Sequence, residues 1–493
     1  MKVCLVIPPS AFLLDERVFM SLGILKVAAS LEKAGHQVEV LDVSGVDNYE
    51  DVARTHATQT QAEIFGLTAT TPQMPAAFKI ASAIREKSSK RIILGGPHAT
   101  LVHAAWRTEN RRGIDGRATQ ALNALKGQFS TIVAGDGELA VVDALHSGDG
   151  VVIDADSPTS RYFLTSQAVS EAPFPARHLI DAGSYHYEID GVPAMSLICQ
   201  LGCPFGCGFC GGRQSAMLRR IRTRSSQNVL KEIIHLHETY GVRGFMLYDD
   251  ELNVNPRMTE LMDLIHSEQV RRGVKFHLRG FVKSELFNDA QAISMVKAGF
   301  RWILVGFESG SPRILRNIEK HATVEDNDRC MAIAKRHGLK VKALMSLGHP
   351  GESAETIRDT SDWLLRVKPD DFDATIITTY PGTPYYDRAI ETSPGIWTYT
   401  YPGNGDKLHA YEVDYFKVAD YYKGDPDGGY KAYVFTDGLS AGALVAGRDA
   451  LESEVRHALN IPFNVSRPAQ RYEHSMGQLP PHIIKAAGSG VPV

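Results

Sequence analysis

Cys203-Pro204-Phe205-Gly206-Cys207-Gly208-Phe209-Cys210 sets three cysteines at the spacing C-x3-C-x2-C. Three thiolates on a short loop can wrap three irons of a cubane cluster, because Gly206 and Gly208 let the backbone bend around the inorganic core. A fourth thiolate would close the site for electron transfer alone; three leave one iron open to a ligand. Cys199 precedes the loop on what reads as the incoming strand, and its spacing does not suit a fourth ligand. Zinc sites usually draw on paired C-x2-C units or a Cys/His mixture, and no second pair follows. The stretch therefore reads as the holder of a [4Fe-4S] cluster, with Cys203, Cys207 and Cys210 as its ligands.

Downstream of the loop, strands and helices alternate. After Met195–Cys199, strands are predicted at Gly244–Asp249, Lys275–Arg279, Trp302–Glu308, Lys340–Leu347 and Asp373–Thr379. Helices separate them, such as Val229–Tyr240 with Leu230, Ile233 and Ile234 on one face, and Ala354–Val367. Six such units over 191–395 predict a partial (β/α)6 TIM-like barrel, whose chemistry belongs at the C-terminal ends of its strands. The cysteine loop follows the first strand, at that end.

Upstream, residues 1–150 form a second alternating series. Strands at Val3–Ile7, Val38–Leu41, Ile64–Leu67, Ile92–Leu94 and Thr131–Val133 predict a flavodoxin/Rossmann-like parallel sheet covered on both faces. Arg107–Lys126 is polar and reads as an inserted helix or loop. Residues 151–190, with Pro173-Phe174-Pro175, read as a linker. From 396 to 493 a small, mainly helical region is expected. Its Trp397–Tyr433 stretch is crowded with tyrosine, glycine and aspartate, Gly438–Leu459 reads as one helix, and the last thirty residues look loosely ordered.

The chain of 493 residues is 43% hydrophobic and 22% charged, with a formal net charge of −4. That balance excludes the basic excess that nucleic-acid backbones require. No apolar run approaches a membrane span, and Met1–Ile7 stops at Pro8-Pro9, too short for a signal-peptide core. A cytoplasmic protein with reduced thiols is expected. Cys4, in an apolar strand, and Cys330, in an amphipathic helix, read as small core residues.

The cysteine motif, with Phe209 before the third cysteine, resembles the signature of the radical S-adenosylmethionine superfamily. Phe245–Glu251, His277-Leu278-Arg279, Val305–Ser311, Leu347–Glu352 and Tyr380–Pro384 are similar to that family's successive strand-end segments. The resemblance implies that S-adenosylmethionine chelates the open iron and is cleaved to a 5′-deoxyadenosyl radical. It also implies that Phe209, Asp250, Arg279, Glu308 and Ser309 hold S-adenosylmethionine. Tyr248, His277, His349 and Tyr380 lie at or near strand ends and are candidates for substrate contact.

The first domain lacks GxGxxG, which argues against a dinucleotide. Its loops resemble the cobalamin-binding domain that a large subgroup of these enzymes carries. Pro9, Thr70, Gly95, Gly96, His98, Gly135, Gly137 and Glu138 are the residues that this resemblance assigns to cobalamin. The loop after the first strand holds Asp15 and Glu16 but no DxHxxG histidine, so no histidine of that loop is expected on cobalt, and His98 is expected beside the ligand.

With both cofactors, the family's commonest chemistry is methylation of an unactivated carbon in a small-molecule substrate. A flavodoxin or ferredoxin is the implied electron donor. Alternatives are a radical cyclase or rearrangement enzyme, similar to the anaerobic magnesium-protoporphyrin ester cyclase, and a non-catalytic cobalamin-binding sensor or scaffold.

Overall fold

The computed structural model describes residues 1–10, 13, 16–421 and 431–462. Asp15, part of the tyrosine-rich stretch and the segment from 463 onward lie outside the described residues.

Strands of five or six residues form the first sheet: β1 (Lys2–Ile7), β2 (Gln37–Asp42), β3 (Ile64–Thr68), β4 (Arg91–Gly95), β5 (Thr131–Gly135) and β6 (Val151–Ala155). All pairs are parallel, in the order β2-β1-β3-β4-β5-β6. The helices between them are α1 (Leu22–Lys33), α2 (Tyr49–Gln59), α3 (Met74–Lys87), α4 (Pro97–Arg112), α5 (Arg117–Gln128) and α6 (Gly137–Ala144). The polar insert at 107–126 is the end of α4 and most of α5. Strand order reverses between β1 and β3, and such a switch point opens a crevice at the carboxyl ends of the strands. There Gln73 donates to Pro8 O at 3.1 Å and Ser10 Oγ at 2.9 Å, tying the two loops together.

The sheet extends beyond the expected boundary. Residues 151–155, placed in the linker by sequence, are β6, because Val151-Val152-Ile153 finds an apolar edge beside β5. The connection that follows carries a short helix, α7 (Ser166–Glu171), and a hairpin of β7 (Glu188–Ile189) and β8 (Val192–Leu197).

The second sheet runs β15-β14-β13-β12-β11-β8-β7. From β8 onward its strands are parallel: β11 (Gly244–Leu247), β12 (His277–Phe281), β13 (Phe300–Glu308), β14 (Lys340–Leu347) and β15 (Asp371–Ile376). Between β8 and β11, β9 (Gln200–Leu201) and β10 (Arg222–Thr223) pair across the base of the cysteine loop, with one turn of helix, α8 (Ala216–Arg219), between them. Outer helices α9 (Ser226–Tyr240), α10 (Met258–Arg272), α11 (Asp289–Ala298), α12 (Pro312–Asn317), α13 (Val324–Arg336) and α14 (Ala354–Val367) complete a half-barrel, since β15 does not pair with β8.

After a single turn, α15 (Pro384–Asp387), an antiparallel meander appears that the sequence did not announce: β16 (Ile390–Ser393), β17 (Ile396–Thr400), β18 (Lys407–Tyr411) and β19 (Val434–Phe435). Only α16 (Ala441–Leu459) was legible there. It lies along β15 and serves that free edge with side chains instead of a strand. Glu452 Oε1 accepts the Ala374 N–H at 2.7 Å, and Arg448 Nε donates to Ala374 O at 2.9 Å. An edge covered in this way cannot recruit another chain.

Candidate functional site

The cysteine loop is held from below by backbone contacts. Cys203 N donates to Leu218 O at 2.9 Å and Gly208 N to Ile318 O at 2.8 Å, while Arg213 reaches both Gly206 O and Glu319. Gly202, at φ 88°, is needed because a Cβ there would lie 2.2 Å from Arg220 O. The three thiols lie close enough for each thiolate to feel the others. Burial, with the neighbouring Asp250, Glu251 and sister cysteines, pushes Cys203 up to about 11 and raises Cys210 further. Lys320 and Lys283 draw the Cys207 thiol back down against its burial, and the irons of a cluster would supply further positive charge to all three. Cys210 and Asp250 keep accessible surface, and the space they open onto is the chamber of the site.

Around that chamber the strand ends bring together four carboxylates and two lysines. Asp249 Oδ1 accepts the N–H groups of Cys199 at 2.6 Å and Gln200 at 3.0 Å. Burial raises Glu251 to about 7, and its Oε2 has no hydrogen-bond partner. An acid so placed suits an ammonium-bearing ligand such as S-adenosylmethionine. Glu308 sits at φ 65°, with Oε1 on Lys320 Nζ at 2.7 Å and Oε2 accepting Ser346 Oγ at 2.7 Å. Ser346 continues to His349 Nε2 at 2.8 Å, and the His349 ring meets Phe209 edge-on at 5.2 Å. Burial drops His349 to about 4, so it is a neutral imidazole. Lys283 Nζ lies 4.1 Å from the centre of the Phe205 ring and donates to Lys320 O at 2.9 Å.

Sequence reasoning thus brought Phe209, Asp250, Glu308 and His349 to one place. It missed Glu251, Lys283, Lys320, Ser346 and Tyr385. Lys320 lies beyond its strand end in a loop without a motif, and only the fold turns it back toward Glu308.

Three expectations fail. Arg279 is mid-strand, paired with Trp302 in register and stacked on its ring at 5.3 Å. Glu308 lies six residues farther along the same β13, roughly 20 Å away at strand rise, so both cannot hold one ligand's head. Ser309 is buried against α14, its hydroxyl 3.0 Å from Thr360 Oγ1, because a bulge turns it away from the chamber. His277 opens β12 at the opposite end of the half-barrel and meets Ile189 O at 3.2 Å. Tyr248 lies under Phe19 of the first domain at 5.5 Å, while Tyr380 joins a cluster with Tyr415 and Tyr421.

In the first domain the cobalamin candidates divide. Pro9, Thr70, Gly95 and His98 lie by the crevice at the ends of β1, β3 and β4, whereas Gly96, at φ 95°, packs against the end of β3, where a Cβ would lie 2.5 Å from Thr68 Oγ1 and 2.9 Å from Ala69 N. Thr70 is exposed, and a Cβ on Gly95 would meet nothing nearer than Val133 O at 3.9 Å. His98 accepts from or donates to Thr71 Oγ1 at 3.1 Å, and its Nε2 is buried without a partner; burial lowers it to about 3. These residues fit a bulky ligand with polar edges. Gly135, Gly137 and Glu138 do not face the crevice: a Cβ on Gly135 would strike Ala155 and Asp156 backbone at 2.3 Å, one on Gly137 would lie 2.9 Å from Val27, and Glu138 pairs with Lys26 at 3.0 Å. The β5 end is given instead to the domain junction, where Asp136 pairs with Arg222 and accepts from Leu164 N at 2.8 Å.

The two domains face each other across this junction. A Cβ on Gly211, next to Cys210, would lie 3.4 Å from Leu101 of α4, and one on Gly382 would lie 3.1 Å from Leu101 O. Arg117 of α5 is stacked between Tyr386 at 3.8 Å and Trp397 at 3.6 Å.

Comparison with known proteins agrees with this architecture. Residues 197–364 match the radical SAM superfamily and residues 16–126 the B12 binding domain. An uncharacterised methyltransferase of Pyrococcus horikoshii is 28% identical over 410 residues, covering 79% of this chain and 83% of that one. The anaerobic magnesium-protoporphyrin IX monomethyl ester cyclase of Synechocystis is 24% identical, covering 75% and 73%. The radical S-adenosylmethionine methyltransferase TsrM of Kitasatospora setae, solved with cobalamin and a [4Fe-4S] cluster, shares the fold at a TM-score of 0.63 and 18% identity, with 92% of each chain covered. No helix among the described residues is long and apolar enough to cross a membrane. This chain thus combines a B12 binding domain with a radical SAM domain that carries the three-cysteine loop.

Proposed function

We propose that the enzyme methylates an unactivated carbon of a small-molecule substrate. The observation that carries this is the placement of Leu101 of α4 against Gly211, which brings the helix that follows β4 up to the cysteine loop. Two reactive groups, one held on each domain, then share one chamber without domain movement.

When bound, the cluster with S-adenosylmethionine supplies a radical that removes a substrate hydrogen, and methylcobalamin supplies the methyl group. Cys203, Cys207 and Cys210 would ligate three irons. Asp250, Glu251 and Glu308 would receive the ammonium end of S-adenosylmethionine, with Phe209 alongside. Lys320 keeps Glu308 ionised and aimed, and Lys283 holds the loop around Phe205. Pro9, Thr70, Gly95 and His98 would face cobalamin. Tyr248 and Phe19, whose rings lie 5.5 Å apart, would meet substrate and exclude water from it. The names of the Pyrococcus relative and of TsrM, whose substrate in one structure is tryptophan, support methyl transfer to a small molecule. The expected setting is the cytoplasm, with a flavodoxin or ferredoxin as electron donor.

The test is methyl-labelled S-adenosylmethionine supplied to the reconstituted enzyme with a small-molecule cell extract. A product carrying the label on carbon supports the proposal. A product that loses hydrogen without gaining label would move the assignment to cyclisation.

A further inference from the structure

Far from the chamber, three metal-ligating side chains from separate elements converge on one point. Cys4 of β1 and Glu39 of β2 are register partners on adjacent parallel strands, so their side chains leave the sheet on the same face. His56 of α2, which packs on that face beside the buried Ala53 and Ala57, points its Nε2 at both. Cys4 Sγ is 3.5 Å from His56 Nε2, Glu39 Oε1 is 3.0 Å from the same nitrogen, and all three donor atoms lie within 4.8 Å of one another.

A proton relay would use both imidazole nitrogens, one partner on each. Here thiol and carboxylate meet a single imidazole nitrogen, and the thiol also hydrogen-bonds the carboxylate, so the three groups form a closed triangle. One cation serves all three. Zinc bonds of about 2.0–2.3 Å to N, O and S give tetrahedral edges of roughly 3.3–3.6 Å, close to the spacings found. The other carboxylate oxygen, Glu39 Oε2, is held by Lys2 Nζ at 2.8 Å, and Thr60 Oγ1 donates to Oε1. Such outer partners fix the direction of a ligating carboxylate. The mixed Cys/His/Glu donor set suits zinc better than calcium or magnesium, which take oxygen.

We propose that Cys4, Glu39 and His56 bind a zinc ion that fastens edge strand β2 and helix α2 to β1. The site lies three residues, about 10 Å at strand rise, from the end of β1 where the cofactor crevice opens, so its role is structural. Binding exchanges the Cys4 thiol proton for the S–Zn bond and releases that proton to solvent. Cys4, legible in sequence only as a core residue, then has a second use.

The experiment uses the full chain with its iron–sulfur cluster already reconstituted, so that the cluster cysteines cannot take zinc. It is equilibrated with zinc, freed of loose metal on a weak chelating resin, and analysed for zinc and iron together. About one zinc per chain is expected for the wild type, and at least a tenfold loss for His56→Ala with iron unchanged. His56 is partly exposed, so its removal leaves the core intact. Cobalt(II) in place of zinc should show thiolate-to-cobalt absorption that Cys4→Ser abolishes. Wild-type protein that keeps no zinc, or His56→Ala that keeps as much as wild type, would overturn the site.

Discussion

Lys320 Nζ lies 2.7 Å from Glu308 Oε1, inside the chamber where neither side chain has ready access to water. Burial works to raise the Glu308 carboxyl, yet the Lys320 ammonium and the Ser346 hydroxyl hold it below the usual carboxylate range. The pair therefore holds an ionised, aimed carboxylate beside the cysteine loop while staying neutral overall.

Replacing Lys320 with Met removes that counter-charge. Breaking a buried pair from one side costs about 3–5 kcal/mol, and Glu308 should take up a proton. The expected outcome is a lower denaturation midpoint and weaker binding of S-adenosylmethionine, read by calorimetry. Lys320→Arg should recover most of both. Unchanged binding in Lys320→Met would remove Glu308 from the ligand's surroundings.

Gly208 is tested by its lack of a side chain. A Cβ there would sit 2.6 Å from Cε1 of Tyr385, a ring buried at the base of the loop. Overpacking of this kind costs about 1–3 kcal/mol and would push the cysteine loop outward. Gly208→Ala should reconstitute with less iron per chain, and adding Tyr385→Leu should restore it.

Glu352 gives a pH dependence with a definite sign. Burial raises its carboxyl to about 7, although it accepts Gly348 N at 3.0 Å and Thr356 Oγ1 at 2.5 Å. Because the folded state holds this proton more tightly than the unfolded state, whose acid titrates near 4.5, its contribution to stability falls as pH rises from 4.5 to 7. The loss amounts to about 3 kcal/mol. Glu352→Gln mimics the protonated acid, accepting from Gly348 and donating to Thr356. Urea denaturation should find it more stable than wild type at pH 8 and nearly equal at pH 4.5.

Glu452 carries the closed edge of the half-barrel. It accepts from Ala374 and pairs with Arg456 at 2.6 Å, both deep under α16. Glu452→Ala leaves the buried Ala374 N–H without its acceptor, a loss of about 1–3 kcal/mol, and opens the β15 edge at that point, while Arg456 keeps Asp371 at 3.2 Å. Light scattering should detect association of the variant that the wild type lacks.

Much of this molecule was legible because its strands are short apolar runs broken by glycine and its cysteine loop has a spacing that chemistry restricts. The C-terminal meander was not, since β16 is exposed along its length and presents no alternation to read. Arg279 and Ser309 were misplaced for a related reason. A motif names residues along a strand, but register and bulge decide which of them reaches the end. Gly135 and Glu138 looked like ligand loops and instead pack within the first domain, against Ala155 and Lys26, while Asp136 between them reaches Arg222 of the second domain, a contact that sequence separation conceals.

The central claim is tested most directly by anaerobic turnover of S-adenosylmethionine in the presence of cobalamin and a strong reductant. The protein should yield 5′-deoxyadenosine and S-adenosylhomocysteine together, and the variant with Cys203, Cys207 and Cys210 changed to Ala should lose the deoxyadenosine. Neither product from protein shown to carry an intact cluster would contradict the account.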